Sequence, residues 1–132
     1  MNPKLRQFVH ERAGDRCEYC LMRLHTSARP FHAEHIIAQQ HQGSDEKGNL
    51  ALACQNCNLL KGPNLTSIDP DTSLLTRLFH PRQDVWEDHF RIDGPRICGL
   101  TDIGRTTVWL LEMNDEDRVA LRVALQEAGE WP

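Results

Sequence analysis

The stretch FHAEHIIAQQHQGSDEKGNLALACQNCNLLKG, residues 31–62, concentrates side chains that bind metals or move protons. Glu34 and His35 are adjacent, and two asparagines, Asn49 and Asn58, follow. A histidine can serve as a general base near neutral pH, and carboxylate and amide oxygens are ligands that Mg²⁺ and Mn²⁺ prefer. Hydrolysis of a phosphodiester bond needs both: a base to activate water and a cation to offset the charge on the phosphate.

The cysteines form two C-x-x-C pairs, with Cys98 left over. Each turn of this kind presents two thiolates, and two such turns complete a tetrahedral zinc site. We therefore expect one structural zinc that takes no part in the chemistry. It would join the first turn to the helix that carries Asn58, and so fix Asn58 relative to Glu34 and His35. The predicted ligands are Cys17, Cys20, Cys54 and Cys57.

Two other functions compete for the same residues. The letters HAE at 32–34, followed by CQNC, fit in outline the H-x-E and P-C-x-x-C signature of a zinc deaminase. Ala53 stands where that signature has proline, and the first cysteine pair and both asparagines would have no role, so we disfavour it. The main alternative is a non-cleaving zinc-bound module that binds nucleic acid or acts as an adaptor.

The elements that must position these residues are a strand, a loop, a second strand and a helix. Glu34 and His35 would point to opposite faces of a regular strand, so a shared site requires the strand's end or a local distortion. Asn49, at the end of the loop, is expected to bond the backbone and hold the loop. The predicted ranges are 31–37, 38–49, 50–53 and 56–61, after an N-terminal helix that Asn2 caps and Gly14 ends.

Beyond Gly62 the pattern predicts an irregular stretch over 63–83, then a hairpin and two helices. VWEDHFRI and RICGLT flank Asp93-Gly94-Pro95, which is typical of a hairpin turn. Thr101 is the expected cap of the next helix, and Asn114 is the expected start of the last one, which ends near Gly129. The predicted fold class is α+β.

CEYC, EHI, GNLALAC and CNLLKG, in this order and spacing, resemble the HNH endonucleases, whose core is the ββα-metal fold. The resemblance covers about residues 8–62 and implies hydrolysis of DNA phosphodiester bonds. It makes His35 the general base, Glu34 and Asn58 the ligands of the catalytic Mg²⁺ or Mn²⁺, and Asn49 an architectural residue. The third motif letter is Asn58 instead of histidine, which favours hard Mg²⁺ over softer metals.

The length of 132 residues predicts one domain, with a core at 8–62 and a wrapped extension at 63–132. Within the extension, residues 79–114 resemble the C-terminal part of small bacterial HNH proteins. The net charge is −4, but residues 1–62 carry +2 and residues 63–132 carry −6. Charge alone therefore leaves a DNA partner open. Lys61 can contact either the last helix carbonyls or a phosphate, and His41 and Arg16 are further candidate phosphate contacts.

No apolar run reaches the ~20 residues of a membrane span, and the N-terminus has no signal-peptide pattern. We therefore expect a cytoplasmic protein without a membrane partner, in a reducing compartment where disulfides are rare. A monomer with one site makes one cut per binding event, so nicking of DNA is the expected outcome.

Overall fold

The computed structural model describes residues 1–132 and has an α+β fold, which confirms the predicted class. Its strands form three separate antiparallel pairs, β1–β2, β3–β4 and β5–β6. None of the helices is both long enough and apolar enough to span a bilayer. The helices are α1 (Pro3–Ala13), α2 (Gln55–Lys61), α3 (Trp86–His89), α4 (Asp102–Leu110) and α5 (Glu116–Glu127); the strands are β1 (His32–His35), β2 (Leu50–Ala53), β3 (Thr66–Ile68), β4 (Leu75–Arg77), β5 (Phe90–Asp93) and β6 (Arg96–Gly99).

The first helix has the predicted ends. The Asn2 side chain accepts a hydrogen bond from the Leu5 N–H at 2.8 Å, and Pro3 occupies the first turn, where its missing N–H costs nothing. Gly14 ends the helix with a positive φ of 62°, a conformation that glycine adopts without strain. The chain then turns directly into the first cysteine pair.

The β1–β2 hairpin and α2 confirm the predicted strand, loop, strand and helix. His35 is opposite Leu50 in the ladder, and His32 is opposite Ala53. All four residues of β2 are buried, because α1 and α2 both pack against this hairpin. Its sequence LALA is accordingly apolar throughout instead of alternating.

The prediction of an irregular stretch over 63–83 is wrong, because β3 and β4 pair within it. Local pattern gave no signal: the paired Ile68 and Leu75 are both exposed, so the strands lack apolar alternation. The turn between β3 and β4 is fixed instead by a residue distant in the sequence. The Asp69 carboxylate is fully buried, accepts from the Asp71 N–H, and is paired with Arg105 of α4 at 2.9 Å.

The β5–β6 hairpin turns at Gly94, as predicted, although residues 86–89 before it are helical. The Thr101 hydroxyl accepts from the Gly104 N–H at 3.0 Å, which confirms the cap of α4. The predicted start of the last helix is one residue early, since Asp115 is the N-cap. The Asn114 side chain instead bonds both the N–H and the C=O of Ile97, at 2.9 and 2.7 Å.

The extension packs on the turn that carries the first cysteine pair, residues 17–20, which we call the knuckle. The Trp86 indole Nε1 donates to the Tyr19 carbonyl oxygen at 2.8 Å, and Arg82 pairs with Glu18. Phe79 of the extension lies edge-on to the Tyr19 ring. Buried side chains of both parts form one continuous cluster, so the extension completes the core that the first 62 residues begin.

Gly104→Ala is expected to lower the free energy of unfolding by about 1–3 kcal/mol, the usual cost of overpacking. A Cβ at this position would lie 2.0 Å from the His89 carbonyl oxygen, so α4 would have to move away from the end of α3. Gly48→Ala is the matched control, because its Cβ would meet no atom within 4 Å. Urea denaturation of the two variants measures the difference; equal stabilities would contradict the close packing of α4 on His89.

Candidate active site and metal centre

The four cysteines of the two C-x-x-C pairs meet at one point. Their Sγ atoms all lie within 4.8 Å of one another and are buried, and the Cys20 and Cys54 sulfurs are 3.7 Å apart. Thiolates that share a tetrahedral zinc, with Zn–S bonds of about 2.3 Å, have sulfurs about 3.8 Å apart. The cluster therefore fits a zinc ion in both donor type and spacing.

Arg118 of α5 also belongs to this centre, and sequence reasoning missed it. Its Nη2 lies 3.2 Å from the Cys57 sulfur and 4.0 Å from the Cys54 sulfur. Burial alone would lower the pKa of Arg118, but the facing Cys57 and Cys20 thiolates outweigh it and raise the pKa above its ordinary value. The guanidinium offsets part of the negative charge of four thiolates. No local pattern in α5 marks one arginine for this contact.

The four thiolates account for a complete zinc site without any histidine. His32, the histidine of the deaminase signature, instead lies at 3.0 Å from the Gln55 side-chain oxygen through its Nε2. A deaminase needs an open zinc position for its water. The cysteine cluster therefore favours a structural ion over a catalytic one.

An open cleft of about 490 Å³ lies beside the end of β1 and the C-terminal half of α2. Three of the four residues predicted for catalysis line it, namely Glu34, His35 and Asn58. His35 is the last residue of β1, so the shared site lies at the strand's end, one of the two arrangements that the alternation rule allowed. Glu34 is the only acidic residue in the lining.

His35 lies at the surface of the cleft, with its side chain 20% exposed. Its Nε2 is 2.6 Å from Oδ1 of Asp45, a residue that sequence reasoning did not single out. This hydrogen bond lowers the pKa of the Asp45 carboxyl, which therefore stays ionised beside the ring. The two residues are ten positions apart, and the neighbouring Glu46 could equally have supplied the carboxylate, so local pattern does not single out Asp45.

Asn49 lies beneath the loop between the strands and holds it closed. Its Oδ1 accepts from the Ile37 N–H at 2.8 Å, and its Nδ2 donates to the carbonyl oxygens of Ile37 and Ser44 at 3.0 and 2.8 Å. Gly43 packs directly against the Ile37 backbone, where any side chain would place its Cβ 1.7 Å from the Ile37 carbonyl oxygen. These backbone contacts are those expected of Asn49, and they fix the chain that follows His35.

Glu34 is turned toward the interior and is only 6% exposed. The Tyr19 hydroxyl donates to Oε1, and the Lys61 Nζ lies 3.6 Å from Oε2. Burial raises the pKa of the Glu34 carboxyl, while the Lys61 ammonium and the Tyr19 hydroxyl oppose that rise. Burial and the Glu34 charge raise the pKa of Tyr19 well above its usual range, so the phenol keeps the proton that it donates.

Lys61, named from the sequence as a candidate phosphate contact, is 2% exposed. Its ammonium donates to the Ile36 carbonyl oxygen at 2.9 Å and faces Glu34, so it contacts the strand instead of solvent. The other two candidates are not brought to the cleft. His41 is exposed in the loop, and Arg16 forms an antiparallel backbone bridge with Arg23 on the two sides of the knuckle and lines a different pocket.

The donors available to a catalytic cation are the oxygens of Glu34 and Asn58. The Asn58 side chain is half-buried, lines the cleft and makes no hydrogen bond within the chain. The Glu34 carboxylate has about four lone-pair positions, of which the Tyr19 hydroxyl takes one, while the Lys61 ammonium forms an ion pair with Oε2 at 3.6 Å. Carboxylate and amide oxygens are the donor types that Mg²⁺ or Mn²⁺ would take in such a cleft.

Comparison with known proteins gives the family of the segment that carries the cleft and the cysteine cluster. Residues 17–64 match the family model described as HNH endonuclease, so the chain carries an HNH domain over the knuckle, the hairpin and α2. This match confirms the resemblance that the motifs indicated.

The chain is also similar to the Septu protein PtuB of Bacillus thuringiensis. The two are 24% identical over 119 residues, which is 89% of this chain and 44% of that protein. The chain thus spans less than half the length of this relative. No solved structure matches the chain.

Cys57→Ser is expected to abolish tight zinc binding and to unfold much of the protein, since a structural zinc contributes folding free energy directly. Cys98→Ser is the matched control, because Cys98 lies outside the cluster and is partly exposed. Elemental analysis should find about one zinc per chain in the wild type and the control. A metal-free wild-type protein with an unchanged melting temperature would refute the structural role.

Proposed function

We propose that the chain is a divalent-metal-dependent endonuclease that hydrolyses DNA phosphodiester bonds. The observation that carries the proposal is the meeting of His35, Glu34 and Asn58 in one open cleft next to a cysteine cluster suited to zinc. The match of residues 17–64 to HNH endonucleases supports the same reaction. The proposed compartment is the reducing cytoplasm, where thiolates remain available to zinc.

His35 is the proposed general base. An imidazole has two ring nitrogens, and Asp45 contacts one of them, so the other is left to accept the proton of the attacking water. Asn49 holds the backbone that follows His35 and so fixes the direction of the ring. Positioning of this kind matters because a base must lie within hydrogen-bond reach of the proton that it removes.

Glu34 and Asn58 are the residues that would hold the cation. A bound Mg²⁺ or Mn²⁺ supplies charge neutralisation at the scissile phosphate and the leaving oxygen. One such cleft per chain supports one cut per binding event, so nicking of a duplex is the proposed outcome. The inward position of Glu34 is the observation that favours the alternative, a zinc-bound module that binds nucleic acid without cutting it.

His35→Ala is expected to reduce cleavage of supercoiled plasmid by about 10²–10⁴-fold, the usual contribution of a general base. Folding, zinc content and DNA affinity should stay near wild type, because His35 bonds only the exposed Asp45. His25→Ala serves as the control, since His25 is exposed and pairs with Glu130 outside the cleft. Cleavage by His35→Ala at the wild-type rate would remove His35 from the mechanism.

Asn58→Ala is expected to lose more activity at low Mg²⁺ than at high Mg²⁺, because a ligand is lost while the base remains. Asn56→Ala, in the same helix but outside the cleft, should follow the wild-type Mg²⁺ titration. An equal loss at every Mg²⁺ concentration would assign Asn58 a structural role. If the wild type cuts neither DNA nor RNA with Mg²⁺ or Mn²⁺, the non-cleaving module is the better description.

A further inference from the structure

Tyr19 connects the zinc knuckle to the acidic residue of the cleft. It lies between the two cysteines of the first pair and is 1% exposed. Its hydroxyl donates to Oε1 of Glu34, fifteen residues away on β1. The chain has a single tyrosine, and it is placed where its only side-chain polar atom reaches the proposed cation ligand.

The position of Tyr19 is itself set by the extension. The Trp86 indole donates to the Tyr19 carbonyl oxygen at 2.8 Å, and the Phe79 ring meets the Tyr19 ring edge-on, with centroids 6.3 Å apart. The adjacent Glu18 accepts from Arg82 and from the Leu52 N–H. Trp86, Phe79 and Arg82 of the extension therefore contact the Tyr19 backbone, the Tyr19 ring and the neighbouring Glu18. None of these three extension residues lines the cleft.

Lys61 holds the second oxygen of the same carboxylate from α2. Oε1 of Glu34 thus accepts a hydrogen bond from Tyr19, Oε2 faces the Lys61 ammonium in an ion pair, and each oxygen keeps lone pairs for a further partner. Hydrogen bonds of this kind around a metal ligand fix its orientation, and their loss commonly weakens metal affinity. Of the two residues that face the Glu34 carboxylate, Tyr19 and Lys61, Tyr19 is the one that Trp86 and Phe79 of the extension contact.

We propose that Tyr19 is a positioning residue: it holds Glu34 in the orientation that binds the catalytic cation, and through Tyr19 the C-terminal extension sets the affinity of that site. The inference rests on the proposed function, since it takes Glu34 as a cation ligand. It assigns the extension a part in the reaction although its residues Phe79, Arg82 and Trp86 lie outside the cleft.

Tyr19→Phe removes the hydroxyl and keeps the ring. We expect it to raise the dissociation constant for Mn²⁺, measured by electron paramagnetic resonance on the zinc-loaded protein without DNA, by about 10- to 100-fold. Plasmid cleavage should require correspondingly more Mg²⁺, and saturating Mg²⁺ should restore most of the rate. Zinc content should stay at the wild-type value, because the cysteines are unchanged.

A pair of tryptophan variants tests the same link through the extension. Trp86→Phe removes the indole donor to Tyr19 and keeps an aromatic ring against Phe90. Trp131→Phe is the matched control, because its indole also donates to a backbone carbonyl, that of Gly94, away from the cleft. Mn²⁺ affinity should fall for Trp86→Phe and remain at the wild-type value for Trp131→Phe.

The outcomes separate the inference from the proposed function. Wild-type protein that neither binds Mn²⁺ nor cuts DNA would refute the proposed function itself. Wild-type protein that does both, with unchanged or tighter Mn²⁺ binding in Tyr19→Phe, would overturn the inference alone. If Tyr19→Phe does not fold, the tryptophan pair decides, and equal Mn²⁺ affinities for its two members would overturn the link through the extension.

Discussion

Convergence of four sulfur atoms is the constraint on which the rest of the structure depends. The two cysteine pairs are separated by 33 residues, yet their sulfurs lie within 4.8 Å of one another. A zinc ion in that cluster would tie the chain after α1 to the first turn of α2, and the β1–β2 hairpin is the segment enclosed between the two points. The Arg118 guanidinium brings the last helix to the same place through its contact with Cys57. With zinc bound, a small core with few aromatic residues would gain a fixed point that hydrophobic packing alone would supply less well.

The cleft depends on how the end of one short strand divides its side chains. Glu34 faces the interior and His35 faces the surface, as the alternation of a strand requires. Because β1 ends at His35, both residues still line one cleft with Asn58 of α2. The interior residue is surrounded by donors and the surface residue has a carboxylate partner. The two adjacent positions therefore differ in electrostatic environment, as the proposed division between metal ligand and base would need.

Features set by neighbouring residues could be predicted from the sequence. The caps at Asn2 and Thr101, the glycine turn at Gly94 and the spacing of the cysteines each follow from local chemistry. The backbone bonds of Asn49 agree with its position at the end of the loop. Features set by distant contacts could not be predicted, and the β3–β4 hairpin is one of them, because a buried carboxylate and Arg105 define its turn.

Helix α2 shows the same limit most clearly, since it exposes Leu59 and buries Lys61. Hydrophobicity predicts the reverse. Lys61 follows Cys57 by one turn and so lies on the face that packs against the hairpin, where its ammonium donates to a carbonyl oxygen and forms an ion pair with a carboxylate. The pairing is visible only once the strand and the helix are placed together.

Contacts between the extension and the knuckle determine where the chain could be truncated without removing partners of the knuckle. The segment that matches the HNH family ends at residue 64, but the partners of Glu18, of the Tyr19 carbonyl and of the Cys57 thiolate all lie beyond it. A fragment cut at that boundary would leave an ionised carboxylate and a cluster of thiolates without their counter-charges, and would expose the ring face that Phe79 covers. The contacts that hold the knuckle therefore cross the boundary of sequence similarity. A graft of this domain into another protein would have to carry the extension with it.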